Sequence, residues 1–124
     1  MIGYSHFDVN PYTSSEVPVD TIEICFTPAT ELARLYRSKA LSPVEVTEAV
    51  LRRIEELNRK LNAFLTVTAD LARQQAKAAE ERARRGALLS PLDGVPFSIK
   101  DLELTAGIRT TFVSKWFEHN VPAE

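Results

Sequence analysis

The segment SPLDGVPFSIKDLELTAGIRTT, residues 90–111, sets one amine among apolar side chains. In VPFSIK, Val95, Phe97 and Ile99 alternate with Pro96, Ser98 and Lys100. A period of two puts Ser98 and Lys100 on the face opposite the three apolar residues. Such a lysine is either a solvated charge at a strand end or a buried amine. The buried form is a base: free lysine titrates near ~10.4, and desolvation can lower that by up to ~3–5 units. A neutral amine can take the proton of a serine hydroxyl, which is otherwise a poor nucleophile at neutral pH. The residues alone leave both readings of Lys100 open.

Little else in the chain offers chemistry. Cys25 is the only cysteine and reads as a small hydrophobe in IEICF, so no internal disulfide and no thiolate zinc cluster is possible. The two histidines, His6 and His119, stand near opposite ends without metal-ligand spacing, so no metal is expected. A formal net charge of −2, with both signs interspersed, makes no electrostatic case for a nucleic-acid or membrane partner. No apolar run approaches the ~20 residues that span a bilayer. MIGYSHFDVNPY has neither a basic start nor an apolar core, so a secretory leader is not expected there and a cytoplasmic setting is.

The elements that must position Lys100 are mostly helical. Residues 1–26 read as an irregular arm, and 27–124 as the folded part. Thr27-Pro28 reads as an N-cap and first position of a helix over 28–38, with Ala29, Leu32, Ala33 and Tyr36 on one face. Ser42, Pro43 and Glu45 form a capping box that starts a helix over 43–59. Val46, Val50, Ile54, Leu57 and Leu61 line one face of it, while Glu48/Arg52, Glu55/Arg59 and Glu56/Lys60 are spaced for ion pairs on the other. Thr68 is expected to cap a third helix over 69–85, ended by Gly86 and carrying an alanine stripe. Its arginine-rich last turn reads as a solvated face with Glu80/Arg84 and Glu81/Arg85 pairs.

AFLTVT (63–68) and the lysine segment (95–102) alternate like strands. Asp93-Gly94 reads as the turn before the second, Asp101 as a partner for the loop at 103–107, and Trp116 with Phe117 as core or interface. Two short strands cannot cover three amphipathic helices, so the fold class is α/β with a sheet incomplete among these residues.

At this point the residues carry a resemblance. GVPFSIKDLELTAGIRTT is similar to the lysine segment of the amidase signature family, the serine amidohydrolases. PATELARLYRSKALSPVEVTEAVLRRIEELNRKLNAFLTV resembles the helical lead-in of the same family. The likeness runs over about residues 26–124, and the Gly-Val-Pro-x-x-x-Lys-Asp core (94–101) is its specific part. It implies a mixed-sheet α/β/α sandwich, a Ser–cis-Ser–Lys triad and hydrolysis of linear amide bonds, with Lys100 as the triad's general base. It implies no organic cofactor. Thr110 and Thr111 are candidates to line the substrate pocket.

The family's two serines lie in a glycine- and serine-rich loop, and no such loop occurs in these 124 residues. Ser98 and Ser114 stand in no glycine-rich run and are not expected to replace them. Phe112-Val113-Ser114 also departs from the small residues that usually follow Thr-Thr in the family. The resemblance therefore implies a truncated piece, inactive alone, whose complete form acts on a small amide. Two alternatives accompany that reading. One is a glutamine amidase similar to the A subunit of tRNA-dependent amidotransferases. The other is a non-catalytic helical module, forming a homo-oligomer or completed by a second chain.

Overall fold

The computed structural model describes residues 20–123. Four α-helices follow one another: α1 Thr21–Phe26, α2 Ala29–Ser38, α3 Pro43–Leu61 and α4 Ala69–Arg84. One turn of 3-10 helix follows at Lys115–Phe117. Most of the expected arm lies outside the described residues, but α1 falls on its last part. Asp20 starts α1 by accepting from the Ile22 N–H at 3.3 Å, so 21–26 are helical rather than irregular.

Local rules account for most helix ends. Ser42 Oγ accepts from the Glu45 N–H at 3.1 Å, and the Ser42 N–H donates to Glu45 Oε2 at 2.8 Å, completing the capping box. Pro43 takes the first position of α3, and Asn62 closes the helix in a left-handed conformation, φ 48°. Thr27 does not cap α2. It ends α1 instead, donating its hydroxyl to the Glu23 carbonyl at 2.8 Å, and Pro28 stands at the N-cap without a side-chain bond. Thr68 precedes α4 but its side chain makes no capping bond. At ψ 56° its backbone is not in the extended conformation from which a cap residue reaches back.

α3 packs on both α1 and α4, and α4 touches α2. The core gathers Leu32, Leu35, Tyr36, Leu41 and Val46, with Ile24, Leu88 and Val95 packed against it. α4 contributes Ala76, Ala79 and Ala83, whose small side chains admit its neighbours closely. The apolar stripe of α3 is buried only near its start: Val46 is covered, Val50, Ile54 and Leu57 are half-buried, and Leu61 is exposed. Burial pushes the Tyr36 phenol far above its ordinary pKa. Cys25 is half-buried, and that burial likewise raises its thiol. No helix among the described residues is long and apolar enough to cross a membrane.

The two expected strands do not form. Among the described residues the one β-pairing is an isolated bridge, Thr105 with Ile108. A strand exists by its ladder, and alternation alone supplies no partner. Over 63–68 side chains take the backbone groups instead: Asn58 brackets Phe64, accepting its N–H and donating to its carbonyl, both at 2.9 Å. Arg109 donates to the Leu65 carbonyl at 3.0 Å. Over 95–102 the chain runs without regular structure between two turns, its residues 97–100 exposed. The described part is helical, and the expected sheet is not seen in it.

Among the described residues most ion pairs lie within one helix, but not all at the expected partners: Glu56 meets Arg53 rather than Lys60, and one pair bridges two helices. Glu48 binds Arg73 of α4 at 2.8 Å rather than Arg52, which donates to Thr21 Oγ. Glu80 pairs with Arg84 at 2.9 Å as expected, whereas Glu81 also meets Arg84, and Arg85 donates to the Glu81 carbonyl.

Candidate functional site

Lys100 lies on a strap, residues 95–101, suspended between two anchors. The first anchor is built by α2, α3 and α4. Arg82 of α4 donates twice to the Asp93 carboxylate, each bond 2.7 Å, and the Leu89 N–H adds a third at 3.0 Å. The Asp93 side chain is only 9% exposed. The Arg82 guanidinium holds its carboxyl below the usual range, with the Leu89 N–H adding to the effect. Beside it Tyr36 of α2 donates its phenol to the Gly94 carbonyl at 3.2 Å. Gly94 has φ +85°, and a Cβ there would lie 2.7 Å from Pro43 Cγ and 3.1 Å from Ala79 Cβ. The strap therefore starts in a slot between α3 and α4 that only glycine fits.

Asp93 predicts a pH effect with a definite sign. Its folded pKa is depressed, so the stability it lends is present above the ordinary carboxylate range and is lost as pH falls through the folded value. Asp93→Asn is expected to unfold at lower urea than the parent at pH 7, and to lose less further stability on acidification. Urea midpoints between pH 7 and pH 3 measure this, and equal acid slopes in the two proteins contradict it.

The second anchor follows the lysine. The Glu103 N–H donates to the Lys100 carbonyl at 3.0 Å, turning the chain. Asp101 does not bond the loop at 103–107. Its carboxylate accepts the Thr111 N–H at 2.8 Å, the Thr111 hydroxyl, and the Val113 N–H at 3.3 Å. The turn at 111–113 presents these donors because Phe112 and Val113 both adopt left-handed backbone, φ 51° and 56°. The N–H groups of Thr111 and Val113 make a concavity suited to an anion, and a carboxylate fills it. Thr111 holds the Asp101 carboxyl below its usual range, mainly through the hydroxyl.

The residues singled out by sequence fall as follows. Lys100 and Ser98 are exposed. Thr110 and Thr111 are buried, at 3% and 7% exposure. The Thr110 hydroxyl lies 3.2 Å from the Ile108 carbonyl and 3.5 Å from that of Glu103, so both threonines spend their hydroxyls inside the chain. Ser114 accepts from the Trp116 N–H and caps the 3-10 turn. Trp116 is 95% exposed, which removes it from the core, and Phe117 stacks edge-on with Phe112 at 5.3 Å. Phe97, Ile99 and Leu102, close to Lys100 in sequence, are exposed, as are Val113 and Trp116 further along. Among the described residues no three His, Cys, Asp or Glu side chains gather as a metal site.

Sequence spacing gives Asp93 only a turn and Asp101 only a nearby loop. The Arg82–Asp93 pair reaches back across the Gly86 reversal, and Asp101 reaches ten residues forward. An acid next to Gly94 and an arginine in the last turn of α4 were the available signals, but nothing local joins them.

Comparison with known proteins agrees with the lysine segment. The Amidase family matches residues 45–124. The A subunit of glutamyl-tRNA(Gln) amidotransferase from Anaeromyxobacter dehalogenans is 48% identical over 104 residues, covering 77% of this chain and 21% of that protein. The proteins of the same name from Carboxydothermus hydrogenoformans and Streptomyces coelicolor are 41% identical over 101 residues and 46% over 94. These two alignments cover 82% and 76% of this chain, and 21% and 19% of the relatives. The chain spans about a fifth of the length of the curated relatives it matches. No solved structure matches it. With the family's pattern running over residues 45–124, and the Gly-Val-Pro-x-x-x-Lys-Asp strap inside that range, the chain belongs to the amidase family.

Proposed function

We propose that these residues form the amino-terminal helical layer and lysine strap of an amide hydrolase, with Lys100 as its general base. The observation that carries the reading is the family match over residues 45–124, which includes the strap and the carboxylates that anchor it, Asp93 and Asp101. A serine from polypeptide outside the 124 residues attacks the amide carbonyl, forming a C–O bond. Its proton passes through a second serine to neutral Lys100, which returns it to the leaving nitrogen as the C–N bond breaks. Water then releases the acyl group by the same route in reverse. Backbone N–H groups of the glycine-rich loop hold the oxyanion. Neither a metal nor an organic cofactor enters these steps.

Glutamine is the favoured substrate. The relatives are named as amidotransferase subunits, and transfer of an amide nitrogen requires an amide donor. The same name supports a setting within an assembly. The engaged hydroxyls of Thr110 and Thr111 favour a part in shaping the pocket wall over direct contact with substrate. The exposed apolar side chains of Phe97, Val113 and Trp116 support a second reading, in which another chain completes this one. For both readings we propose a cytoplasmic setting, in keeping with a sequence that offers no internal disulfide.

The test uses two proteins. One is the 124-residue chain. The other is the full-length Anaeromyxobacter dehalogenans relative carrying residues 45–124, the stretch the family matches, in place of its own corresponding residues. Each is assayed for ammonia release from glutamine, the second within its amidotransferase assembly. The chain alone is expected to be inert and the chimera active. A folded, assembled chimera without turnover contradicts the reading. So does an isolated chain whose hydrolysis is abolished by Lys100→Ala.

A further inference from the structure

We infer that Asp101 is a positioning residue: by seating its carboxylate in the left-handed turn at 111–113, it fixes where the adjacent Lys100 is presented to the reaction. The inference rests on the general-base reading of Lys100 and goes beyond it by naming what holds the base in place.

The strap has few bonds of its own. Between Val95, whose N–H donates to the Leu92 carbonyl at 3.0 Å, and Lys100, whose carbonyl accepts at 3.0 Å, no backbone bond to the rest of the chain is present among the described residues. The strap has no ladder to set its register, and Phe97, Ser98 and Ile99 are exposed. Its course is set by its ends alone. At the lysine end the only side chain among the described residues that ties it to the body is Asp101, through three donors from two residues. Thr111, which supplies two of these, is buried.

The body it binds is itself well fixed. The Thr110 N–H donates to the Asn120 carbonyl at 3.0 Å, and the Asn120 side chain returns a bond to the Thr110 carbonyl at 3.0 Å. The Gly107 N–H donates to the Pro122 carbonyl at 2.8 Å. Arg109 joins the same region to the α3–α4 loop through Leu65, and to Glu118 at 3.1 Å. Asp101 thus couples the lysine's own backbone to a cross-braced unit one peptide away. A left-handed valine is strained, because its β-branched side chain crowds the backbone at positive φ. The carboxylate that receives its N–H offsets part of that strain, so clamp and turn support one another.

Displacing a catalytic group by about 1 Å can lower turnover about 10²-fold. In the chimera, Asp101→Ala is expected to lower kcat about 10²-fold with KM within about threefold of the parent. Thr111→Val, which deletes only the hydroxyl, is expected to lower kcat about 10-fold. Thr111→Ser, which restores that hydroxyl, is expected to recover most of the loss. In the 124-residue chain, Asp101→Ala is expected to speed amide hydrogen exchange at Thr111 and Val113 while leaving α3 and α4 protected.

Lys100→Ala at the parent's rate sinks the general-base reading and this inference with it. Lys100→Ala inactive with Asp101→Ala at the parent's kcat overturns this inference alone. If Asp101→Ala does not fold, the serine–valine pair at 111 decides: equal kcat in the two contradicts the clamp.

Discussion

Lys100→Ala in the chimera is expected to lower glutamine hydrolysis by about 10³- to 10⁴-fold, the upper range for losing one positioned proton acceptor. KM should change little, because the amine acts on the serine's proton rather than holding the substrate. Lys100→Arg should be no better than alanine. A guanidinium stays protonated at any pH the protein survives, so it restores the charge and the stem without restoring a base. A solvated lysine at the end of a strap predicts the opposite pattern: near-parent rates for alanine, and for arginine as well. Steady-state kinetics on the three proteins separate the two, provided assembly is first confirmed by gel filtration.

The second large effect is on stability. Gly94→Ala is expected to cost about 3 kcal/mol, from two sources. A residue bearing Cβ at positive φ costs about 1–2 kcal/mol, and forcing a methyl into a packed interior costs about 1–3 kcal/mol. The methyl would meet the ring of Pro43, which is fully buried at the start of α3, and the side chain of Ala79 on α4. Neither can swing aside as a flexible chain end would. Gly107→Ala supplies the control. Its φ of +72° imposes the same backbone cost, but nothing lies within 4 Å of the added Cβ. It is expected to cost about 1 kcal/mol, the backbone share alone. Urea unfolding of the 124-residue chain, followed by helical circular dichroism, reads both. Equal losses would show that the slot between α3 and α4 is looser than its distances imply. Against a typical stability of about 5–15 kcal/mol, the Gly94 loss is large enough to see plainly.

These cases show what was legible in the sequence. The helices were, because caps and the 3.6-residue period act over four or five residues. Ser42, Pro43 and Glu45 start α3 as a capping box must. The same local logic misplaces Thr27, whose hydroxyl has two helices to choose from and closes the first. It overlooks α1, a six-residue helix in a stretch without clear periodicity. The strands were not legible, since alternation over 63–68 and 95–102 states a preference that only a partner strand can realise. The site was half legible. Lys100 stands out by motif, whereas the bonds that anchor its strap, Arg82–Asp93 and Asp101–Thr111, join residues eleven and ten positions apart through turns. No spacing rule links such pairs before the turns are known.

Fold and site meet at the strap. The helical layer fixes its start at Gly94, the turn at 111–113 fixes its end, and Phe97, Ile99 and Leu102 near Lys100 are exposed. On the proposed general-base reading, further polypeptide packed over the strap would exclude water from the amine and keep it a base.

Restoring a lost amine from solution tests this role more directly than any structure. Glutamine hydrolysis by the Lys100→Ala chimera would be followed with increasing methylamine at fixed ionic strength, across a range of pH. With Lys100 as the base, the rate should start near background and climb with the concentration of unprotonated methylamine, because a free base does the work the side chain did. A variant that turns over at the parent's rate with no amine added would contradict that role, and Lys100 would then be a solvated charge.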